Sequence, residues 1–543
     1  RNENPKKIRE SIKKKISKSK LYNIPNRGDA IDRGIQNLMT GDVLVVAGKG
    51  HENIQDYGKF KKFFSDKDCI LKYIKKKNRI LHNDLKFNIL NEADHNKQIR
   101  VTGKIRKASI NSKDIRKNDV FFAIKGKNKD GNNYVSQAFD KGACLAIVNK
   151  INKSRKINKQ IKVKNTLNFL TKTSEIIRQN CSSKIIAITG SCGKTSLKEL
   201  LSDTLNKFAD VSSSPKSFNN KYGVPLSLFN LNINNQYGVF EVGMDKKGEI
   251  DKLSKIIKPD VGVITNISHA HAKNFKNIMQ IAQAKAEIIN NINPGGLLVL
   301  NADDRFLNLH KKKALKKKLK ILTFGMYNKA NVEFRSILRE GNKFKISITI
   351  NNKKTFFYTS NNFENFIKNM LAVVTIISHF DDPFKLNKNI FRNFKTPDGR
   401  GDIFKIRIKK KNINIIDESY NSNPLSLKTA IGNFSSIKTN NKKYLVLGDM
   451  MELGRQSKIL HRNIAPIINS TDIYKINIFG NYIKETFKYI KPSKKGLILK
   501  KRSEIIDLIK NKLNNNDYLM IKGSNSTGLF KFTNELKKKE NVI

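Results

Sequence analysis

The chain has 543 residues, with 106 lysines and arginines against 46 aspartates and glutamates, for a formal charge of +60. That length exceeds what one hydrophobic core serves and implies three or four domains. A 38% hydrophobic content against 28% charged residues suits a soluble globular protein, and there is no apolar run of about eighteen residues that would span a membrane. The lysine-rich start lacks the apolar segment of a signal peptide. Cys69, Cys144, Cys181 and Cys192 have neither metal-site nor disulfide-framework spacing, so they read as reduced thiols of a cytoplasmic protein. Taken alone, the charge points to a nucleic-acid or anionic-membrane binder. Lysines spread along the whole chain, abundant Asn and Ile and no Trp instead suggest solvated faces under compositional drift, with only salt-sensitive, non-specific attraction to polyanions.

The chain begins with Arg1, which suggests a missing front, and residues 1–77 read as the end of a domain. Asp42–Gly48 reads as a strand running into a glycine turn, with Lys49-Gly50-His51-Glu52 after it. Phe64-Ser65-Asp66 opens a helix, with Ser65 or Asp66 as its cap. Arg1–Pro5, Arg27–Ile31 and Ala47–Glu52 resemble the C-terminal domain of the Mur ligase that adds the third stem-peptide residue. That resemblance implies diaminopimelate contacts from Arg1 and Glu52. The ATP loop of such an enzyme is absent here, so the segment reads as the remnant of a fused or mis-bounded neighbour. Lys75-Lys76-Lys77-Asn78 is the predicted linker.

Residues 80–181 form the next predicted domain, with Val101-Thr102-Gly103, a strand at Val120–Ile124 and a short helix at Tyr134–Lys141. From the residues alone this is a small α/β domain. It resembles the N-terminal, UDP-precursor-binding domain of Mur ligases. The family's Asp-Ser-Arg there reads Asn111-Ser112-Lys113, so Asn111 and Ser112 become the substrate-binding candidates.

Residues 182–389 carry most of the chemistry. Ile185–Thr189 is a buried-strand pattern, Gly190-Ser191-Cys192-Gly193-Lys194-Thr195-Ser196 a glycine loop, and Leu197, Leu200, Leu201 and Leu205 mark an amphipathic helix. Strand, loop and helix aim backbone N–H groups and a helix dipole at an anion. Lys194 then reaches the terminal phosphates of ATP and the Thr195 hydroxyl holds Mg²⁺. The loop is shorter than the general P-loop, with two residues between Gly190 and Gly193. Asn219 and Asn220 lie in a turn-rich loop suited to substrate contacts. Val239–Gly243 is a buried strand whose Glu241 needs a metal or partner, so Glu241 is a Mg²⁺ ligand candidate. After the strand Val261–Ile267 come His269 and His271, at the strand end where open α/β sheets place ligands. Ile281–Ile289 reads as a helix with Lys285 near its middle. Leu297–Asp304 is a last strand with Asn301 and Asp304 at its polar tip.

In this order, the glycine loop, the Asn pair, Glu241-Val242-Gly243, Asn266 with His271, Lys285-Ala286-Glu287, and Asn301 with Asp304 resemble Mur ligases. The resemblance implies three α/β domains: a small UDP-binding domain, a central P-loop parallel-sheet ATPase domain and a C-terminal Rossmann-like domain, here with an extra N-terminal partial domain. It also implies ATP at residues 190–196, Asn301 and Asp304, and Mg²⁺ positioned by Thr195, Glu241 and His271. Lys194, Glu241, His271 and Lys285 become the catalytic candidates, Lys285 as a lysine that can be carbamylated.

Residues 390–543 alternate strands and helices as a Rossmann-like unit does. Arg400 sits in a turn suited to phosphate. A strand at Ile413–Ile416 delivers Asp417-Glu418-Ser419-Tyr420-Asn421-Ser422-Asn423-Pro424, and Tyr444–Gly448 delivers Asp449-Met450-Met451-Glu452-Leu453-Gly454. Within the family these motifs look like those of the ligases that add D-alanyl-D-alanine. That likeness implies Arg400 and Asp417 at the nucleotide, and Tyr420, Asn421 and Asn423 near the nucleotide or the dipeptide. The implied partners are UDP-N-acetylmuramoyl-tripeptide and D-alanyl-D-alanine. The implied reaction runs through an acyl phosphate, in a cytoplasmic monomer without specific nucleic-acid or membrane partners. A folylpolyglutamate synthase-like ligase and a basic nucleic-acid-binding ATPase are the alternative readings.

Overall fold

A computed structural model describes residues 5–16, 21–39, 41–48, 52–56, 61–92, 105–126, 128–153 and 156–538. The expectations at Arg1–Asn4, Lys49–His51 and Val101–Gly103 lie outside the described residues. Contacts divide the chain into two units, residues 1–169 with 232–234, and residues 170–231 with 235–543. Among the described residues no helix is long and apolar enough to cross a membrane.

The first unit begins with helices α1 (Pro5–Lys15) and α2 (Arg27–Asn37), a hairpin of β1 (Ile54–Asp56) and β2 (Lys61–Phe63), and the long helix α3 (Asp66–Glu92). Ser65 caps α3 as expected, its hydroxyl accepting Asp68 N–H at 3.3 Å. Two expectations fail here. Asp42–Val46 forms no strand, and Val43 and Val45 stand 86% and 79% exposed, because no described strand pairs with them. Lys75–Asn78 is no linker but the interior of α3. A lysine run without Gly or Pro is compatible with a helix, and here it has work to do. Lys77 Nζ donates to the carbonyls of Ile35, Gln36 and Leu38 at the end of α2, and Lys76 pairs with Asp32 at 2.7 Å.

Then come β3 (Ala108–Ser109), β4 (Asp119–Phe122), α4 (Val135–Asp140), β5 (Ala143–Val148) and β6 (Gln160–Lys162). The strands form a parallel sheet in that order, with Val120, Phe121 and Phe122 buried. The predicted strand and short helix are both present.

The second unit opens within α5 (Thr166–Gln179) and continues through β7 (Lys184–Thr189), α6 (Lys194–Leu205), β8 (Val211–Ser213), α7 (Gly223–Phe229), β9 (Tyr237–Glu241), α8 (Glu249–Ile257) and β10 (Val261–Ile264). Next are α9 (Ile278–Lys285), β11 (Leu297–Asn301), α10 (Leu307–Lys316), β12 (Lys320–Gly325), β13 (Val332–Glu340), β14 (Lys343–Ile350), β15 (Lys353–Thr359) and α11 (Glu364–Phe380). The nine strands order as β15-β14-β13-β12-β11-β10-β7-β9-β8, parallel from β8 to β13 and antiparallel beyond. Near-continuous apolar runs such as Ile185–Ile188 fit strands covered on both faces. Leu197, Leu200, Leu201 and Leu205 of α6 pack with Met370, Val373 and Ile377 of α11 in one core. Lys285 ends α9 rather than lying mid-helix, because the chain tightens into a 3₁₀ turn at Ala286–Asn291.

The remaining elements are β16 (Asp402–Ile408), β17 (Lys411–Glu418), α12 (Pro424–Ser435), β18 (Lys443–Gly448), α13 (Ser457–Arg462), α14 (Ala465–Asn469), β19 (Lys475–Phe479), α15 (Lys484–Lys488), β20 (Lys495–Leu499), α16 (Ser503–Lys512), β21 (Tyr518–Lys522) and α17 (Leu529–Lys538). Their sheet, ordered β16-β17-β21-β18-β19-β20, is parallel except for the β16–β17 pair.

Leu200 is 1% exposed in the α6–α11 core, whereas Leu315 is 65% exposed. Leu200→Ala is therefore expected to cost about 2–5 kcal/mol of stability. Leu315→Ala should stay within about 0.5 kcal/mol; calorimetric melting of both variants checks the contrast.

Candidate functional site

A cavity of about 1080 Å³ lies between the C-terminal ends of the nine-stranded sheet and the first loops of the six-stranded one. Parallel sheets deliver their loops to one edge, and ligands bind outside those strand ends. Ser191, Cys192, Gly193, Lys194, Thr195 and Ser196 line it.

The glycine loop is shaped by the segment after β10. Gly190 has φ +148°, and a Cβ there would stand 1.9 Å from Thr265 Oγ1, so no side chain fits. Asn266 Oδ1 accepts Cys192 N–H at 2.9 Å, Thr265 Oγ1 donates to Cys192 O at 2.6 Å, and Ser268 N–H donates to Ser191 Oγ at 2.8 Å. Gly193, at φ +82°, leads into α6, whose first N–H groups have no side-chain cap and are free for an anion. Lys194 Nζ donates to Gly190 O at 2.8 Å, and burial lowers its pKa against the opposing pull of Glu241.

Glu241 ends β9 and is 1% exposed. Its Oε2 accepts the Thr195 hydroxyl at 2.7 Å and its Oε1 accepts Asn219 Nδ2 at 2.7 Å. Oxygen donors of this kind fit Mg²⁺. His271 also borders the cavity, its Nδ1 lying 2.6 Å from Glu452 Oε2, which lines the same cavity, and 3.2 Å from Asp245 Oδ1. All three expected metal ligands line this cavity, Thr195 bonded to Glu241 and His271 beside Glu452 and Asp245. His269 does not line the cavity.

Lys285 does not line the cavity and is 1% exposed. Burial first, and the Lys194 charge second, drive its pKa well below the usual lysine value. A neutral amine is the form that reacts with carbon dioxide. Asn301 and Asp304 line the cavity, yet both are also bound to its loops: Asn301 Nδ2 donates to Thr265 O at 3.1 Å, and Asp304 accepts the N–H groups of Ile267 and Phe306.

From the six-stranded sheet come Arg400, Tyr420, Asn421 and Asn423. The Arg400 guanidinium lies 4.1 Å from the Tyr420 ring centroid, and Tyr420 OH donates to Ser217 Oγ at 2.8 Å. Asn423 caps α12 through Ser426 N–H and donates from Nδ2 to Cys192 Sγ at 3.0 Å.

Several expected positions lie elsewhere. Asp417 does not line the cavity: it is fully buried and bonded to the Ser419 hydroxyl, because alternation along β17 sends it to the opposite face from Glu418. Glu418 lines the cavity instead, 3.3 Å from the buried Lys522. Asn220 turns its Oδ1 to the N–H groups of Tyr222 and Gly223 and does not line the cavity. Asn111 and Ser112 belong to the first unit, where Asn111 accepts Lys113 N–H and Ser112 Oγ donates to Gln137 at 2.6 Å. Sequence reasoning missed the N-terminal face of α11, where Glu364, Asn365, Lys368 and Asn369 line the cavity. Their polar spacing on an otherwise apolar helix was the available signal.

Burial raises the Asp417 pKa from 3.8 to about 6. Between those values the folded protein holds a proton that the unfolded chain has released, so this group's contribution to stability falls as pH rises through that window. Asp417→Asn should flatten the stability profile there, as chemical denaturation at several pH values would show. At the loop, Gly190→Ala should abolish nucleotide binding by calorimetric titration while leaving the first unit's fold intact.

Three sequence profiles match the chain: the Mur ligase family catalytic domain at residues 104–178, the Mur ligase middle domain at 188–377, and the Mur ligase glutamate ligase domain at 404–525. The UDP-N-acetylmuramoyl-tripeptide–D-alanyl-D-alanine ligase of Rickettsia prowazekii is 33% identical over 425 residues, 78% of this chain and 93% of that protein. The same-named protein of Bacillus subtilis is 28% identical, covering 80% of this chain and 93% of its own. A crystal structure of MurF from Acinetobacter baumannii superposes with a TM-score of 0.71 at 27% identity, covering 83% of this chain and 98% of that one. With its phosphate loop, its buried glutamate and these matches along most of its length, the chain belongs to the Mur ligase family.

Proposed function

We infer that the protein is an ATP-dependent ligase that joins D-alanyl-D-alanine to UDP-N-acetylmuramoyl-tripeptide in peptidoglycan precursor synthesis. The observation that carries this reading is the likeness to ligases of that name over 93% of their length, together with a phosphate loop that opens on a cavity shared by two sheets. Both the nucleotide and the UDP-linked acceptor are cytoplasmic metabolites, which supports action in the cytoplasm.

The chemistry follows from the groups in place. The tripeptide carboxylate attacks the γ-phosphate of ATP, giving an acyl phosphate and ADP. The free amine of D-alanyl-D-alanine then attacks the acyl carbon, phosphate leaves and an amide remains. The α6 N-terminus and Lys194 bear the negative charge that accumulates on the transferred phosphoryl group. Arg400, held over Tyr420, brings a second cation from the other sheet. Thr195 and Glu241 are the residues we assign to Mg²⁺, and the ion supplies charge neutralisation on the phosphates. Lys285, buried and close enough to Lys194 to feel its charge, is the position we assign to carbamylation. Asn423 brings the six-stranded sheet's loops against the phosphate loop at Cys192, and Tyr420 against Ser217, with Asn421 on the cavity wall between the sheets, an arrangement that orients the incoming amine and excludes water from a hydrolysable intermediate.

Phosphate release from ATP should require both the UDP-linked tripeptide and D-alanyl-D-alanine. Lys194→Ala should lower it by about 10²–10³-fold or more. Release that ignores both substrates and rises with single-stranded nucleic acid would contradict the assignment.

A further inference from the structure

The loop after β18 seats on the loop after β10, and Glu452 is the residue at which they meet. Its backbone carbonyl accepts Lys273 N–H at 2.9 Å, its Oε1 accepts from Lys273 Nζ at 3.2 Å, and its Oε2 lies 2.6 Å from His271 Nδ1. Asp245 Oδ1 approaches the same imidazole nitrogen at 3.2 Å. The contact is close throughout: Gly454 has φ +59°, and a Cβ there would stand 2.8 Å from Lys273 Cα. Glu452 and His271 both hold left-handed backbones, at φ +65° and +58°, a conformation that persists only where the surroundings enforce it.

The Glu452 side is tied to its own sheet. Met450 N–H donates to His461 Nε2 at 3.1 Å, Met451 N–H donates to Ser524 Oγ at 2.9 Å, and Leu453 is buried in the core of the six-stranded sheet. The His271 side is a loop beyond a strand end, and among the described residues these two carboxylates are the groups within ion-pair distance of its Nδ1.

We propose that Glu452 is a positioning residue, one that fixes the His271 imidazole for the ligase reaction only when the six-stranded sheet is seated on the nine-stranded one. The proposal rests on the ligase reading above. It makes seating a condition for chemistry: the phosphate loop is complete within one sheet, but the orientation of His271 depends on a carboxylate carried by the other. A nucleotide bound before seating meets Lys194 and Glu241 without an oriented imidazole.

The test uses the full chain and the variants Glu452→Gln, Gly454→Ala, His271→Gln and the Glu452→Gln/His271→Gln pair. Glu452→Gln should lower kcat about 10–100-fold. The KM for ATP should stay within about twofold of its original value, as for a group that acts after the ground state. In the His271→Gln background it should cause little further loss, because both changes remove one interaction. Gly454→Ala, which leaves every charge in place, should reproduce the kcat loss and speed hydrogen exchange at the Lys273 amide. An unchanged kcat in Glu452→Gln, or a loss fully additive with His271→Gln, would overturn the proposal. If the unmodified chain shows no dipeptide-dependent phosphate release, the ligase reading itself fails. The exchange arm still decides the seat, since a Lys273 amide equally protected in Gly454→Ala would refute it.

Discussion

The buried carboxylate of Glu241 is the constraint from which the site is built. A carboxyl group at 1% exposure is costly unless its oxygens are satisfied. Here each oxygen has a partner from a different segment, Thr195 at the start of α6 and Asn219 from the loop before α7. One side chain therefore fixes the depth of the phosphate loop relative to β9 and the path of the 215–223 loop. Ser217, on that path, is the point reached by Tyr420 and Arg400 from the second sheet. The glutamate that organises the phosphate side thus also places the surface on which the other sheet closes.

The parallel sheet makes this economy of contacts possible. β7, β9, β10 and β11 run side by side in register, so the loops after them emerge at one edge. The segment Thr265–Ser268 braces the glycine loop by four hydrogen bonds or more, from backbone and side chain alike. Asn301 in turn braces Thr265. Residues that look in sequence like nucleotide ligands are in part the scaffold that shapes the backbone of the glycine loop.

What was legible followed from local patterns. Apolar runs gave the strands of both large sheets, the Gly190–Ser196 spacing gave the phosphate loop, and a carboxylate in an apolar strand marked Glu241 as needing a partner. What was not legible depended on which face of an element is covered. Asp417 and Glu418 are adjacent carboxylates, and only the packing of α17 against β17 decides that the first is buried with Thr533 nearby and the second meets the cavity. Asp42–Gly48 has strand-forming residues but no described neighbour to pair with, and backbone propensity alone does not make a strand. Lys75–Lys77 reads as a linker until α2 is placed beside it, when Lys77 becomes a cap for that helix. Glu452 and His271 lie 181 positions apart, and no local pattern links them.

The central claim is that the two sheets together hold an acceptor carboxylate against the γ-phosphate, so that an acyl phosphate forms before the amide. The most direct measurement is the fate of oxygen-18 placed in the terminal carboxylate of the UDP-linked tripeptide, followed into released phosphate by mass spectrometry during turnover with ATP and D-alanyl-D-alanine. One labelled oxygen per phosphate is the predicted result, because the acyl carbon gives up one of its original oxygens to phosphorus. Phosphate carrying oxygen only from ATP and solvent would contradict the account.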